Sequence, residues 1–287
     1  DADALRDDAA MRLAVSDRRG ITPLDTRPDE ERLQNHNPES PDGLASQPTL
    51  SRLMRGLTTD ENLKVLRASL VTTAARRVKA TRGSHRLRYL TVDVDSLPIV
   101  VHGHQPGSAY NGYYHARVYH PLVATAAELG ELLDVRLRPG NAHTAEGALE
   151  FILPLLERVE RELCQVASVR IDAGFPEEEL LSALEARRTP YVARVRNNAV
   201  LDRLAAPCLR RPVGRPPAQP RTWIYETRYR AEPWSRARRV VLVVQERPGE
   251  LFLHHFFLIT SWSPEEMDGK SLLELYRDRG TAEGHLG

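Results

Sequence analysis

The order of strand-like and helix-like segments after residue 87 constrains the fold of this chain more than any other feature. From there, Asp93 and Asp95 alternate with Leu90, Val92 and Val94, which is the pattern of a strand. Further strands are predicted at 98–101, 117–127, 132–137, 166–171 and 191–195, and helices at 144–162 and 176–187. Because strands and helices alternate along the chain, the sequence predicts an α/β core.

The chain divides by composition into a core and three other regions. These regions are an irregular polar segment at 1–48, a helical segment at 49–86, an α/β core formed by 87–200 and 263–287, and a basic linker with a β insertion at 201–262. The insertion contains strands predicted at 222–230, 239–245 and 251–260, and the final helix is predicted from about residue 271. The chain begins at Asp1 without an initiator Met, so we expect a fragment or a trimmed chain.

Composition places the chain among soluble globular proteins. Apolar residues make up 41% and charged residues 28% of its 287 residues, and this length can bury one substantial core. No apolar run approaches the ~20 residues that cross a bilayer, and no signal peptide is found, so no membrane partner is expected. Cys164 and Cys208 lie far apart, which favours a reducing cytoplasm and excludes a zinc site built from cysteines.

Arginine dominates the basic residues, because only three of the 40 are lysines. Two interpretations are open: the codon usage of a GC-rich genome, and phosphate binding, since a guanidinium can donate two parallel hydrogen bonds to a phosphate. Between residues 203 and 239, ten arginines and two acidic residues are interleaved with Trp223, Tyr225, Tyr229 and Trp234. Basic and aromatic side chains together favour DNA binding, and a solvated linker is the alternative.

Three acidic residues in separate segments are candidates for one active site. Asp95 ends the first predicted strand, Asp172 directly follows the strand at 166–171, and Glu283 lies near the chain end. A carboxylate at the carboxyl end of a strand lies where α/β sheets bind ligands, and a turn or a helix cap is the alternative for each aspartate. Converging carboxylates repel one another, and Mg²⁺, which prefers oxygen ligands, relieves that repulsion.

Tyr276 and Arg279 precede Glu283 at helical spacing. Spacings of three and four place the aromatic hydroxyl, the guanidinium and the carboxylate on one helix face. A carboxylate beside a phosphate-binding arginine indicates metal-assisted chemistry on a phosphodiester. Two Mg²⁺ ions about 3.5–4 Å apart can assist both the attacking and the leaving oxygen of such a reaction.

These motifs resemble a known family, the DDE transposases of bacterial insertion sequences, in the branch with the signature Tyr-x2-Arg-x3-Glu-x6-Lys. Tyr276, Arg279 and Glu283 match its first three members, and the fourth, a Lys seven positions later, would lie beyond Gly287. The resemblance covers roughly residues 44–287. It includes four further segments: TVDVDS at 91–96, HGHQPG at 102–107, YNGYY at 110–114 and VRIDAGF at 169–175.

The resemblance implies a fold, an activity and metal ligands. The implied fold is α/β, a ribonuclease H-like mixed sheet flanked by helices, with a mostly β insertion before the last catalytic helix. The implied activity is Mg²⁺-dependent strand cleavage at transposon ends and strand transfer into target DNA, with Mn²⁺ as an alternative metal. Asp95, Asp172 and Glu283 are implied as catalytic metal ligands, and Asp93, on the same strand face, is the alternative to Asp95.

DNA contacts are expected from two parts of the chain. The resemblance implies that Tyr276 and Arg279 hold phosphates near the scissile bond. The basic insertion adds five arginines as DNA contacts, which are Arg228, Arg230, Arg236, Arg238 and Arg239. Double-stranded DNA, as transposon ends and target, is therefore the expected partner. Two protomers are implied, because two transposon ends must be brought together.

Two other functions stay open. A metal-dependent nuclease of the same fold would only hydrolyse DNA, and a truncated remnant would bind DNA without cutting it. No nucleotide cofactor is expected: Gly269, Lys270 and Ser271 resemble the end of a phosphate-binding loop, but Pro264 stands where that loop requires glycine. The expected location is the bacterial cytoplasm, in association with the nucleoid.

Overall fold

The computed structural model describes residues 47–82, 87–103, 105–214 and 217–279, in a chain that forms two compact units, 1–66 and 67–287. Within the described residues the helices are α1 (Gln47–Leu57), α2 (Asp60–Arg82), α3 (Ala148–Glu162), α4 (Glu178–Arg187), α5 (Ala199–Ala205) and α6 (Gly269–Arg277). The strands are β1 (Tyr89–Ser96), β2 (Ile99–Val100), β3 (Ala109–Asn111), β4 (Ala116–Tyr119), β5 (Leu122–Ala126), β6 (Glu131–Arg136), β7 (Gln165–Ile171), β8 (Tyr191–Val195), β9 (Arg221–Tyr229), β10 (Arg238–Glu246) and β11 (His254–Thr260). None of the helices so described is long and apolar enough to cross a membrane.

The described part of the first unit is helical. After α1 ends, the hydroxyl of Thr58 donates a hydrogen bond to the carbonyl of Arg55 at 2.9 Å. At the start of α2, the hydroxyl of Thr59 accepts a hydrogen bond from the amide of Asn62 at 3.3 Å and so caps the helix. The helical segment predicted at 49–86 therefore contains two helices separated by a short turn.

The second unit is built on an eight-stranded mixed sheet with the order β6-β5-β1-β7-β8-β11-β10-β9. The central strands β1, β7 and β8 are parallel, and α4 makes the crossover between β7 and β8. The strands on both sides of this centre pair antiparallel. The prediction of an α/β fold, with a mixed sheet flanked by helices, is confirmed.

The three strands predicted as an insertion continue this sheet. β11 pairs with β8, with Phe257 opposite Val195 and Thr260 opposite Val192, and β10 lies between β11 and β9. A separate three-stranded sheet, in the order β2-β4-β3, is formed by the chain between β1 and β5. Residues 221–260 therefore extend the central sheet, and the boundaries between core and insertion stay a prediction.

Alternation along the strands gives the sheet two apolar faces. The larger core cluster joins one face to α3, α4 and α5. The smaller cluster joins the other face to Leu272 and Leu273 of α6. Gly269 allows α6 to lie close to the sheet, because a Cβ there would lie 2.7 Å from Cγ2 of Ile224. Polar residues of β1 and β7 on the α6 side are thus brought near the end of α6.

The structure differs from the sequence predictions at several local points. The strand predicted at 117–127 is two strands, β4 and β5, in different sheets, because Pro121 between them has no amide hydrogen for a ladder. The helix predicted at 144–162 begins only at Ala148, after Gly147 with a φ of 69°. The sequence does not predict α5, which begins after Asn198, whose side chain accepts hydrogen bonds from two amides of its first turn.

Candidate functional site

Asp95 and Asp172 lie side by side at the carboxyl ends of two neighbouring parallel strands. Val94 on β1 stands opposite Ile171 on β7, so the residue after each of them lies at the same level. The two carboxylate side chains are 29% and 45% exposed, which leaves both accessible to solvent. Two of the predicted site residues are therefore adjacent, at the edge where α/β sheets bind ligands.

Arg279 bridges these two carboxylates. Its Nη2 lies 2.7 Å from Oδ2 of Asp95, and its Nη1 lies 3.8 Å from Oδ1 of Asp172. The arginine side chain is only 11% exposed, so the contact is formed in a partly desolvated place. Two neighbouring carboxylates repel each other, and the guanidinium offsets that repulsion. Three residues that are far apart in the sequence thus form one charged cluster.

Tyr276 lies one helical turn before Arg279, in the last turn of α6. Burial raises the pKa of its phenol above the ordinary value, the positive charge of Arg279 lowers it, and the negative charge of Asp172 raises it. The net shift is upward, so the hydroxyl keeps its proton at neutral pH. Its phenol oxygen accepts a hydrogen bond from Arg279, so Tyr276 belongs to the charged cluster as a protonated phenol.

Arg194 lies near the charged cluster, although no sequence motif marks it. Ala193 on β8 stands opposite Ile171 on β7, so Arg194 lies at the level of Asp172 on the next parallel strand. Its guanidinium lies over the ring of Phe256, 5.1 Å from the ring centroid. Its charge also acts on the pKa of Tyr276. The position of Arg194 follows from the register between β7 and β8, which the sequence alone does not give.

Asp93 is buried and bound to Arg170, which stands directly opposite on β7. Nε and Nη2 of Arg170 donate to the two carboxylate oxygens of Asp93 at 2.5 and 2.6 Å. Burial raises the pKa of the Asp93 carboxyl, and the bonds from Arg170 act against that rise. Asp93 and Asp95 share a strand face, but of the two it is Asp95 whose side chain is the more exposed.

Tyr114 approaches the same carboxylates from the turn between β3 and β4. Burial raises the pKa of its phenol, and the charges of Tyr113, Asp95 and Asp172 add to the rise. Its ring also makes an edge contact with the buried His120, with the centroids 6.0 Å apart. Tyr114 is therefore a second protonated phenol near the charged cluster, and in the sequence it is marked only as part of the YNGYY segment.

Glu283, the third predicted carboxylate, lies outside the described residues, so its position relative to the other two stays a prediction. Within the described residues, no three acidic, histidine or cysteine side chains converge in the way that a complete metal site requires. The donors that do converge, Asp95 and Asp172, are oxygen donors of the kind that Mg²⁺ prefers. Two neighbouring carboxylates require a positive charge beside them, which Arg279 supplies in this structure and which a divalent cation could supply in its place.

Arg238 and Arg239, predicted as DNA contacts, are buried and bound to carboxylates. Arg238 pairs with Glu178 at 2.7 Å and with Glu185 at 2.8 Å. The hydrogen bond from Arg238 lowers the pKa of the Glu178 carboxyl to about 2. Arg239 donates to both oxygens of Glu226, at 2.8 and 3.0 Å. Every guanidinium nitrogen of these two arginines donates to a protein acceptor, so the structure gives both a role in packing.

Arg228, Arg230 and Arg236 are exposed, as a contact with DNA would require. Arg228 donates to the carbonyl of Ala237 at 2.8 Å, and Arg236 forms an ion pair with Glu185. Arg228 and Arg236 line a groove of about 790 Å³ whose other walls include the residues just before β8. The carboxylate cluster lies at the carboxyl ends of β1 and β7, so the groove is a separate feature.

The aromatic residues near these arginines are divided between core and surface. Tyr229 and Trp234 are buried and make an edge-to-face contact with ring centroids 5.6 Å apart. Trp223 is half-buried, and Tyr225 is exposed. Base stacking, as predicted from the interleaved pattern, is thus open to Tyr225 and closed to the Tyr229–Trp234 pair.

Comparison with known proteins gives a matching family and a similar solved structure. The sequence matches the family described as Transposase DDE domain group 1 over residues 1–286. No curated protein matches the chain. Among solved structures, the chain is similar to the piggyBac transposase in a synaptic complex with hairpin DNA, with 17% identity and a TM-score of 0.36. The match covers 76% of this chain and 45% of that chain, so this chain spans less than half the length of that transposase.

Proposed function

The chain belongs to the family of transposase DDE domains of group 1, and from this premise we propose that it cuts DNA at transposon ends and joins those ends to target DNA. Water attacks a phosphodiester and releases a 3′-hydroxyl, and that hydroxyl then attacks a phosphodiester of the target. Both steps exchange one P–O bond for another, so neither requires a nucleotide cofactor.

One observation carries this proposal: Arg279 contacts both Asp95 and Asp172. The three residues come from β1, from the residue after β7 and from the segment after α6. A fold has little structural reason to place two solvent-accessible carboxylates together, because like charges repel. Their convergence under a guanidinium therefore supports a site that binds a cation and a phosphate.

Asp95 and Asp172 would hold divalent cations, Mg²⁺ or Mn²⁺, with Glu283 as the third ligand. When bound, such ions supply activation of the attacking hydroxyl and stabilisation of the leaving oxygen. We assign the first position to Asp95 because both oxygens of Asp93 already accept hydrogen bonds from Arg170. Asp93 would have to break a buried ion pair to bind a metal, which is costly.

Tyr276, Arg279 and Arg194 would bind the phosphates on either side of the scissile bond. Arg279 can donate two parallel hydrogen bonds to a phosphate, and Tyr276 can donate one from a phenol that stays protonated. Arg194, level with Asp172, adds a positive charge beside the reacting phosphodiester. In the DNA complex, Arg279 would leave the carboxylates for the phosphate as the cation takes its place.

The strand arrangement supports a ribonuclease H-like core, as a finer statement of the fold. On one side, β1 pairs antiparallel with β5, and β5 pairs antiparallel with β6. On its other side, β1 pairs parallel with β7, and β7 pairs parallel with β8. Strands β9 to β11 would then be the insertion before the last catalytic helix. Two protomers would hold the two transposon ends in one complex.

A strand-transfer assay tests the function directly. The protein is given Mg²⁺, a labelled transposon-end oligonucleotide with a free 3′-hydroxyl, and a target plasmid. Joined products are expected, and a 3′-dideoxy end is expected to give none, because it lacks the attacking hydroxyl. Nicking of the plasmid without joined products would indicate a nuclease. DNA binding with neither nicking nor joining would indicate an inactive remnant.

The exposed arginines of the β insertion are expected to bind the DNA backbone. Changing Arg228, Arg230 and Arg236 together to glutamine should weaken DNA binding and lower the slope of log K against log salt, because each phosphate contact contributes about 0.9 to that slope. Filter binding or anisotropy from about 50 to 200 mM salt measures it. An unchanged slope would remove this surface from the DNA interface.

A further inference from the structure

Arg170 is a buried cation that the proposed chemistry does not use. Its side chain is 2% exposed, and its partner Asp93 is 4% exposed. A charged pair so deep in a sheet adds little stability over apolar residues of similar size, because both groups lose their hydration. Stability alone therefore does not explain why this buried ion pair is present.

Arg170 makes a third contact that leaves the sheet. Its Nη1 donates to the carbonyl of Leu275 at 2.7 Å, in the last turn of α6. Carbonyls in the last turn of a helix have no partner within the helix, and a positive charge there also interacts well with the helix dipole. One guanidinium thus joins β1, β7 and the end of α6.

Each contact of Arg170 stands next to a residue of the proposed site. Asp93 lies two residues before Asp95, and Arg170 itself lies two residues before Asp172, so each shares a strand face with its neighbour. Leu275 immediately precedes Tyr276 and lies four residues before Arg279. Arg170 therefore connects β1, β7 and the end of α6 through hydrogen bonds next to the residues of the proposed site.

We propose that Arg170 is a positioning residue, which sets the end of α6 against the two aspartate-bearing strands and so aligns the proposed site. This inference rests on the proposed function, because alignment matters only if the cluster performs chemistry. The flat guanidinium is required, since it directs two nitrogens at Asp93 and a third at Leu275. A lysine ammonium keeps the charge but cannot hold this fork.

The chain offers a matched control in Arg238. The side chains of Arg238 and Arg170 are both 2% exposed, and both bind carboxylates from a neighbouring element. Arg238 joins β10 to α4, away from the strand ends that carry Asp95 and Asp172. Arg170→Lys and Arg238→Lys are therefore the same chemical change at equal burial, and only the first affects the proposed alignment.

The test compares cleavage, DNA affinity and local opening in the two variants. With Arg170→Lys we expect kcat for Mg²⁺-dependent cleavage to fall about 100-fold at unchanged DNA affinity, because a displacement of about 1 Å in a site has this effect. Amides of residues 270–279 should also lose hydrogen-exchange protection. With Arg238→Lys we expect wild-type kcat per folded molecule and unchanged protection of these amides.

The outcomes separate the inference from the function on which it rests. If neither wild type nor Arg238→Lys cleaves DNA, the proposed function fails. If wild type and Arg238→Lys cleave DNA and Arg170→Lys cleaves it equally well, the positioning role is overturned. The same holds if Arg170→Lys and Arg238→Lys each lose activity only in proportion to the amount of folded protein.

A second variant covers the case in which Arg170→Lys does not fold. The double change Asp93→Leu with Arg170→Met removes both charges and leaves none unpaired, a replacement that folded proteins tolerate. It is expected to lose cleavage and α6 protection while it still binds DNA. In wild type, amides of 93–95 and 275–279 should exchange through one common opening, and independent exchange would contradict the proposal whatever the variants do.

Discussion

Replacing Asp172 by alanine is expected to abolish metal-dependent cleavage while DNA affinity and folding stay near wild type. The side chain is 45% exposed and follows β7 without contributing to either core cluster, so its loss should change stability by no more than about 0.5 kcal/mol. A ligand of the catalytic cation contributes several kcal/mol to the transition state, which corresponds to at least about a thousandfold in rate. Cleavage of a labelled transposon end and DNA binding without metal measure the two properties.

Asp202→Ala is the matched control for this experiment. Asp202 is an aspartate of similar exposure, 54%, on α5, where it pairs with His255 at 3.2 Å. Its replacement should leave cleavage and binding unchanged. If Asp172→Ala loses binding and cleavage together, with a lower unfolding midpoint, then Asp172 supports the fold and the assignment of this carboxylate to the site is wrong.

The sequence alone predicts those features of the site that depend on the periodicity of a single segment. Alternation through β1 and the apolar strand before Asp172 place both aspartates at strand ends, and parallel strands bring their carboxyl ends to one edge. Helical spacing likewise predicts that Tyr276 and Arg279 lie on one side of the chain, and in the structure a side-chain hydrogen bond joins them at the end of α6. These inferences need only local periodicity and a general property of α/β sheets.

What the sequence could not give depends on register between strands. Arg170 faces Asp93, and Arg194 lies level with Asp172, because of how β7 and β8 align with their neighbours. A shift of one residue would turn each side chain to the opposite face. The choice between Asp93 and Asp95 therefore stays open from sequence, and the bidentate pair with Arg170 supports Asp95.

The arginines of the insertion show a second limit. Composition treats Arg228, Arg230, Arg236, Arg238 and Arg239 alike, as positive charges near aromatic rings. The structure separates them by burial, since Arg238 and Arg239 bind glutamates on α4 and β9. Net charge predicts attraction to DNA, but only exposure determines which guanidinium groups can reach a phosphate.

Replacing Arg279 by glutamine is expected to raise metal affinity and lower cleavage at the same time. In the structure its guanidinium neutralises Asp95 and Asp172, so a cation that binds this pair must displace it. Without DNA, Arg279→Gln should bind Mn²⁺ about tenfold more tightly, a gain of about 1.4 kcal/mol. Cleavage should fall about 10²–10³-fold, because a donor to the charged phosphate in the transition state is lost.

Calorimetry with Mn²⁺, with and without transposon-end DNA, measures the first effect, and single-turnover cleavage measures the second. In wild type, DNA should increase Mn²⁺ affinity, because the phosphate draws Arg279 away from the carboxylates. In Arg279→Gln that increase should be much smaller, since no guanidinium remains to be moved. Arg277→Gln is the control, because Arg277 is an exposed cation two residues earlier in the chain. Equal or weaker Mn²⁺ binding by Arg279→Gln would mean that the guanidinium does not compete with the cation, and Arg279 would then be a structural counter-ion of the two carboxylates.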